Sequence, residues 1–132
     1  MKLNSQICTT KFQSERLLAL GLKMETADMA YEYKPKHLAD TDIYKDWVIV
    51  AHSPCGTDTP AWSLHRLIEM MPQEIFYEDS TLILGVFGDG VYYADNEYGE
   101  VFNSFDGNLY DCVVKCIEWL IVEGYFNKKY LE

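Results

Sequence analysis

The sequence predicts an α+β fold: an antiparallel β-meander of three to four strands packed against a C-terminal helix, with two further N-terminal helices. Two observations predict the sheet and the helix that covers it. From Glu74 to Phe105 apolar and polar side chains alternate between short turns, and from Leu109 to Glu123 the apolar positions follow a helical period. The third observation is a pair of helix-capping signals, one at Thr10 and one at residues 58–60.

The first helix is predicted over Lys11–Leu20. Thr10 supplies an N-cap hydroxyl and Gln13 stands three residues later, which is the pattern of a capping box. Gly21 follows the last helical residue, where a left-handed backbone conformation is common. These signals bound one short helix near the N-terminus.

The segment from residue 24 to residue 51 gives weaker signals. Residues 26–29 are compatible with a helical turn, whereas Tyr31-Glu32-Tyr33 alternates like a short strand. Lys34 to Asp46 is predicted to be a loop, because it contains a proline and shows little periodicity. Trp47 to Ala51 is apolar at consecutive positions, which predicts a short buried strand.

A second helix is predicted from a cap at Asp58 or Thr59 as far as Met71. Pro60 suits its first turn, where a missing N–H costs nothing, and Pro72 ends it. One side of this helix is apolar and is predicted to face the core: Ala61, Leu64, Leu67, Ile68 and Met71. The other side places a tryptophan among polar residues: Trp62, His65, Arg66, Glu69 and Met70. Such a surface is either covered by a neighbouring segment or offered to a partner.

The meander is predicted from four short runs joined by turns too short for parallel neighbours. The runs are Ile75–Tyr77, Thr81–Phe87, Val91–Ala94 and Glu100–Phe105. Gly88-Asp89-Gly90 is predicted to supply the positive φ angles of a tight hairpin turn. The strands therefore form an antiparallel sheet in chain order.

The C-terminal helix is predicted to begin after Asn108, which caps it, and to end at Gly124. Cys112 and Cys116 share its apolar face, so they are predicted to be small core residues rather than ligands. Residues 127–131 are predicted to fold back as a last helical turn.

Composition bounds the class of protein. A chain of 132 residues with 48% hydrophobic residues is predicted to form a single domain, residues 1–132. Its net charge is −10 and no short window gathers Lys and Arg into a patch, so direct nucleic-acid binding is disfavoured. The acids are interspersed along the chain, which predicts that the charge serves solubility.

The sequence predicts neither a membrane span nor a disulfide framework. The longest apolar runs, Trp47–Ala51 and Leu82–Leu84, are far shorter than a bilayer requires. The first residues lack the apolar region of a secretory signal, so a cytoplasmic location is expected. The four cysteines are therefore expected to be reduced thiols.

Several segments together resemble a known group of proteins. The segments are Ile7–Thr10, Ser14–Leu22, Glu25–Met29, Thr59–Leu64, Ile117–Leu120 and Gly124-Tyr125. As a set, they resemble small uncharacterised acidic proteins of Bacteroides-type prophages and other mobile elements. This resemblance covers most of the chain outside residues 33–46. It implies a bacterial cytoplasm and a phage-related context, and it implies no catalytic residue.

One cluster of residues in the sequence has the types that chemistry requires. His52 and Cys55 have H-x-x-C spacing, and His65 or Asp58 is a possible third zinc ligand. The same residues also permit a reading as a cysteine nucleophile with His52 as base and Asp58 as orienting acid. Structural zinc sites usually show two ligand pairs, and here there is one. No cofactor is therefore predicted.

The leading hypothesis from the sequence is a non-enzymatic accessory or interaction protein of a prophage or mobile element. Its expected partner is another protein or a second copy of the chain, forming a homodimer. The interface candidates are Trp62, His65, Arg66 and Glu69. The alternative is a small zinc-binding domain or metal-dependent enzyme that uses His52, Cys55 and His65. A further alternative is an acidic mimic of nucleic acid.

Overall fold

The computed structural model describes residues 6–37, 43–97 and 99–132. The fold is α+β, with two antiparallel sheets and three helices. The helices are α1 (Lys11–Ala19), α2 (Leu64–Met70) and α3 (Leu109–Glu123). The strands are β1 (Met29–His37), β2 (Ile43–Val50), β3 (Thr59–Ala61), β4 (Glu74–Tyr77), β5 (Ser80–Phe87), β6 (Gly90–Asp95) and β7 (Gly99–Ser104). One sheet has the order β2-β1-β3 and the other the order β4-β5-β6-β7.

The start of α1 is confirmed. The Thr10 hydroxyl accepts a hydrogen bond from the backbone N–H of Gln13, whose side chain in turn accepts one from the N–H of Thr10. The helix ends at Ala19, one residue before the predicted end, and Leu20 is its C-cap. Gly21 then takes a φ of 104°, which a residue with a side chain rarely adopts.

The predicted loop at Lys34 to Asp46 is wrong at both of its ends. β1 continues to His37 and β2 begins at Ile43, and the two strands pair from Ala30 opposite Val50 to His37 opposite Ile43. Residues 38–42 lie outside the described ranges. The proline that suggested a loop is tolerated because β3 pairs only with Met29–Tyr31, so this part of β1 is paired on one side only.

The predicted burial of the strand at Trp47 is also wrong. β2 is an edge strand, and Trp47 and Ile49 are 39% and 43% exposed. The Nζ of Lys11 lies 3.5 Å from the centroid of one Trp47 ring, so a helix side chain rather than the core covers this indole. An apolar run alone does not distinguish an edge strand from a central one.

The second helix begins later than predicted. Residues 59–61 form β3, because their backbone pairs with the start of β1, and Pro60 therefore lies in a strand. The carboxylate of Asp28 accepts hydrogen bonds from the N–H and the hydroxyl of Ser63, and the Ser63 hydroxyl caps α2. Leu67 and Met70 are the buried residues of α2, so the prediction that Met70 lies on the polar side is wrong.

Trp62 lies between β3 and α2 and is fully buried. Its placement within the second helix is therefore wrong, and of the two alternatives left open for it, covered by neighbouring segments or offered to a partner, the first is the one observed. Its indole N–H donates to the hydroxyl of Thr26 over 3.0 Å, and its backbone N–H donates to the hydroxyl of Thr9 over 3.1 Å. The N–H of Thr9 returns a bond of 2.9 Å to the carbonyl of Trp62. One residue, through its side chain and its backbone, thus joins three separate segments of the chain.

The four-stranded meander is present with each strand antiparallel to the next. Neither Gly88 nor Gly90 takes a positive φ, so the predicted reason for these glycines is wrong. At Gly90 the constraint is space: a Cβ there would lie well under 3.0 Å from the backbone carbonyl of Ser104 and from the Phe105 ring. Close approach of two strands therefore requires this glycine.

The C-terminal helix begins and ends as predicted. Asn108 caps α3 by accepting from the N–H of Asp111, and Gly124 ends it in the left-handed conformation. The ring of Trp119 lies 5.7 Å from that of Tyr93 on β6 and 5.1 Å from that of Phe102 on β7. The helix therefore contacts one side of the four-stranded sheet through aromatic packing.

The thiols and the tail also follow the prediction. Cys112 and Cys116 are fully buried within the hydrophobic core. A short 3₁₀ turn at Lys128–Tyr130 folds the tail back, and the N–H of Glu132 donates to the carbonyl of Gly21 over 2.8 Å. The C-terminal residues thereby close over the end of α1.

We expect Thr26→Val to lower the free energy of unfolding by about 1–3 kcal/mol, because the buried indole N–H of Trp62 would lose its acceptor. Urea unfolding followed by tryptophan fluorescence measures this change. Thr26→Ser keeps the hydroxyl and is the matched control. Equal stability of the valine variant and the wild type would show that this hydrogen bond contributes nothing.

Candidate functional site: the outer face of the four-stranded sheet

The four-stranded sheet has a buried side and an exposed side. On the buried side, Ile75, Leu82, Val91 and Tyr93 belong to the hydrophobic core. The strand register places the alternate residues on the opposite side. We call the apolar part of that opposite side the outer face, and it consists of Phe76, Ile83, Phe87, Tyr92 and Phe105.

The outer face is apolar although solvent reaches it. Phe76 is 84% exposed, Ile83 57%, Phe87 52% and Phe105 41%. Single exposed apolar side chains are ordinary, but a contiguous group of them on one surface typically marks an interaction site. These residues come from β4, from β5 and from the position that follows β7, so only the folded sheet brings them together.

Glycines shape the aromatic part of the outer face. A Cβ at Gly85 would meet the Tyr92 ring well under 3.0 Å, so that ring lies directly on the bare backbone of β5. The Phe87 ring stacks on Tyr92 at 5.5 Å between centroids and lies 6.3 Å from the Phe105 ring. The three rings therefore form one low platform rather than separate protrusions.

A depression of about 570 Å³ lies beside the platform, at the end of the sheet near the β6–β7 turn. Ile83, Tyr92 and Ala94 contribute apolar lining, and the other lining residues are Ser80, Thr81 and Asp95–Glu97. Hydrogen bonds hold its rim: the carboxylate of Asp95 accepts from the Ser80 hydroxyl and, over 3.0 Å, from the N–H of Glu97. The outer face thus has both a raised platform and a recess.

The segment that forms the four-stranded sheet carries only negatively charged side chains. Between Arg66 and Lys115 the sequence contains no Lys, Arg or His, whereas residues 74–104 carry seven Asp and Glu. The acids are interspersed along the chain, as expected, but the basic residues are not. This gap in the basic residues is the sequence signal that identifies the sheet as the acidic part of the protein.

The interface residues predicted from the sequence do not form one exposed surface. Trp62 is buried, whereas the side chain of His65 is 89% exposed, with its Nε2 3.8 Å from a carboxylate oxygen of Glu69. The Arg66 side chain donates to the carbonyl of Thr26 and to the carboxylate of Glu69, and its guanidinium lies over the Tyr130 ring. Arg66 therefore holds α2 to the neighbouring segments.

The three predicted zinc ligands contact other residues. The Nε2 of His52 lies 2.9 Å from a carboxylate oxygen of Glu32, the Sγ of Cys55 lies 3.7 Å from the carboxylate of Asp58, and His65 faces Glu69. Among residues 6–33, 47–97 and 99–132, no three His, Cys, Asp or Glu side chains are grouped so that they can hold a metal ion.

Cys55 and Cys116 have raised pKa values for different reasons. The negative charge of Asp58, together with its hydrogen bond, raises the pKa of the exposed Cys55 thiol. Burial raises the pKa of Cys116 to about 12. A cysteine nucleophile needs the opposite shift, because only the thiolate is reactive.

We expect Gly90→Ala to lower the free energy of unfolding by about 1–3 kcal/mol, because its Cβ would collide with the backbone of β7. Gly88→Ala is the matched control, since a Cβ at that position meets nothing within 4 Å. Thermal unfolding of both variants tests this. A Gly90 variant as stable as the Gly88 variant would contradict the close approach.

We expect Asp58→Asn to raise the rate at which iodoacetamide alkylates Cys55 at pH 8. Removing the negative charge lowers the pKa of the thiol and increases its thiolate fraction at a pH below that pKa. Mass spectrometry of the alkylated peptide between pH 7 and pH 10 gives the rate profile. Glu25→Gln is the control, and an unchanged profile for Asp58→Asn would refute the charge effect.

Two features of the described structure bear on function: the exposed apolar outer face and the negative charge of the four-stranded sheet. Within the part of the chain that the structure describes, no helix combines the length and the hydrophobicity needed to cross a membrane. Comparison of the chain with protein-family models, curated proteins and solved structures finds no match.

Proposed function

We propose that this chain is a non-enzymatic interaction protein that binds another protein through the outer face of its four-stranded sheet. The observation that carries the proposal is the exposure of Phe76, Ile83 and Phe87 on one side of the sheet. We further propose a cytoplasmic role in a bacterial prophage or mobile element, which rests on the sequence resemblance alone.

The support for binding is energetic. Removing apolar surface from water is favourable by about 25 cal/mol per Å², and exposed aromatic rings offer much of it at low entropic cost. The outer face is also held rigid, because the other side of the sheet packs against Trp119 of α3 through Tyr93 and Phe102. A preorganised surface loses little freedom when a partner binds.

The support for a non-enzymatic role comes from the residues that suggested chemistry. Cys55 has a raised pKa, which makes it a poor nucleophile, and the nearest carboxylate acts on it in the unfavourable direction. His52 pairs with Glu32 on β1. These contacts favour ordinary surface roles for both residues over a zinc site or a catalytic pair.

The arrangement of charge favours a protein partner over mimicry of nucleic acid. A mimic needs carboxylates in rows with phosphate-like spacing, and it needs them where the target protein makes contact. Here the surface carries aromatic and aliphatic side chains, with Glu74 on β4, Glu100 on β7 and Glu97 at the end of the sheet beside them. This is the pattern of an interface with an apolar core and a polar rim.

We expect the double variant Phe76→Ser/Ile83→Ser to lose its protein partner while keeping its fold. Both side chains are exposed, so their replacement changes the free energy of unfolding by about 0.5 kcal/mol or less. The measurement is affinity capture from a Bacteroides lysate, with quantitative mass spectrometry of the recovered proteins.

The matched control for this experiment is Phe12→Ser, because Phe12 is 75% exposed and lies on α1. The proposal requires a recovered protein that the control retains and the double variant loses. Identical recovery by the wild type and the double variant would show that the outer face binds no protein.

A further inference from the structure

We infer that the partner of the outer face is a basic protein, with Lys or Arg side chains around an apolar centre, rather than a second copy of this chain. The inference rests on the proposed binding function and adds the chemical class of the partner. The observation behind it is the negative charge beside the outer face, which is complementary to a partner with basic side chains.

The carboxylates lie where a partner's rim would be. In the strand register, Glu74 stands opposite Ile83, and Glu100 stands opposite Ala94, so both glutamates share the side of the sheet that carries the outer face. Glu97 lines the depression at the end of β6. All three glutamates are exposed.

No cation within the sheet balances these carboxylates. Residues 74–104 carry seven acids and no Lys, Arg or His, so this segment contributes −7 to the net charge of −10. Charges at an interface interact over about 8 Å at physiological ionic strength. A partner with basic residues at its rim is therefore attracted, and an acidic partner is repelled.

The same count argues against a homodimer through this surface. Two copies joined outer face to outer face would bring two sheets of −7 together without a basic residue from either sheet to pair with them. Like charges opposed across an interface disfavour association. The sequence alone did not distinguish a homodimer from a complex with another protein. The negative charge of the sheet favours another protein.

The depression suits a long basic side chain. Ile83, Tyr92 and Ala94 can cover the aliphatic stem of a lysine or arginine, while Glu97 stands at the rim for its charged end. The exposed aromatic rings nearby also attract cations through their faces. Apolar lining and acidic rim thus select for the same kind of residue.

The test is a selection of peptides from a random 12-residue display library with the purified wild-type chain as bait. Selected peptides are synthesised, and fluorescence anisotropy measures their dissociation constants. We expect selected peptides to be net basic with at least one aromatic or aliphatic residue, and Phe76→Ser/Ile83→Ser to abolish their binding.

Charge is tested separately with a triple variant, Glu74→Gln/Glu97→Gln/Glu100→Gln, which we expect to weaken binding about tenfold. The matched control is Glu15→Gln/Glu25→Gln/Glu123→Gln, which removes the same charge from exposed positions outside the sheet and should change affinity less than twofold. Raising the salt concentration should weaken the wild type more than the triple variant.

The outcomes separate the two proposals. Neutral or acidic peptides that still require Phe76 and Ile83 would overturn the inference about charge and leave the outer face as a binding surface. No peptide dependent on these two residues would overturn the proposed function itself. A dimer of the wild type in analytical ultracentrifugation that Ile83→Ser dissociates would overturn the choice of a different molecule as partner.

Discussion

The buried indole of Trp62 is the constraint on which the rest of the fold depends. The indole occupies the core and its N–H donates to Thr26, while the backbone N–H and carbonyl of Trp62 bond to Thr9. The segment before α1, the turn before β1 and the start of α2 are therefore held at one point. A buried donor needs its acceptor, which makes this arrangement specific as well as stabilising. The segments joined in this way are distant in sequence, so local conformational preferences cannot determine their positions relative to one another.

The same core determines which surface is available for binding. α3 covers one side of the four-stranded sheet with Trp119, and the other side keeps an apolar strip in water. A sheet with apolar residues on both sides is usually covered on both sides. A partner that covers the outer face would complete this two-sided burial, and the acidic rim would determine which partners approach.

Part of the candidate site could be predicted from the sequence. Phe76, Ile83 and Phe87 fall on the alternate positions to Ile75 and Leu82, so both sides of the strands are apolar, and the stretch without Lys, Arg or His is visible by inspection. The interface predicted on α2 failed at Trp62 because a helical wheel assumes where the helix begins. Here a strand replaced its first turn, since pairing with β1 outweighs the preference of Pro60 for a helix start.

By itself the sequence determined the elements whose signals are local: the capping box of α1, the meander, and α3 with Asn108 and Gly124 at its ends. Capping and alternation act over a few residues, so they can be recognised without knowing the fold. Only the tertiary structure decided the long pairing of β1 with β2, the burial of Trp62 and the exposure of the outer face. These depend on contacts between residues far apart in the chain, whose energy outweighs local preference, so the local pattern alone does not decide them.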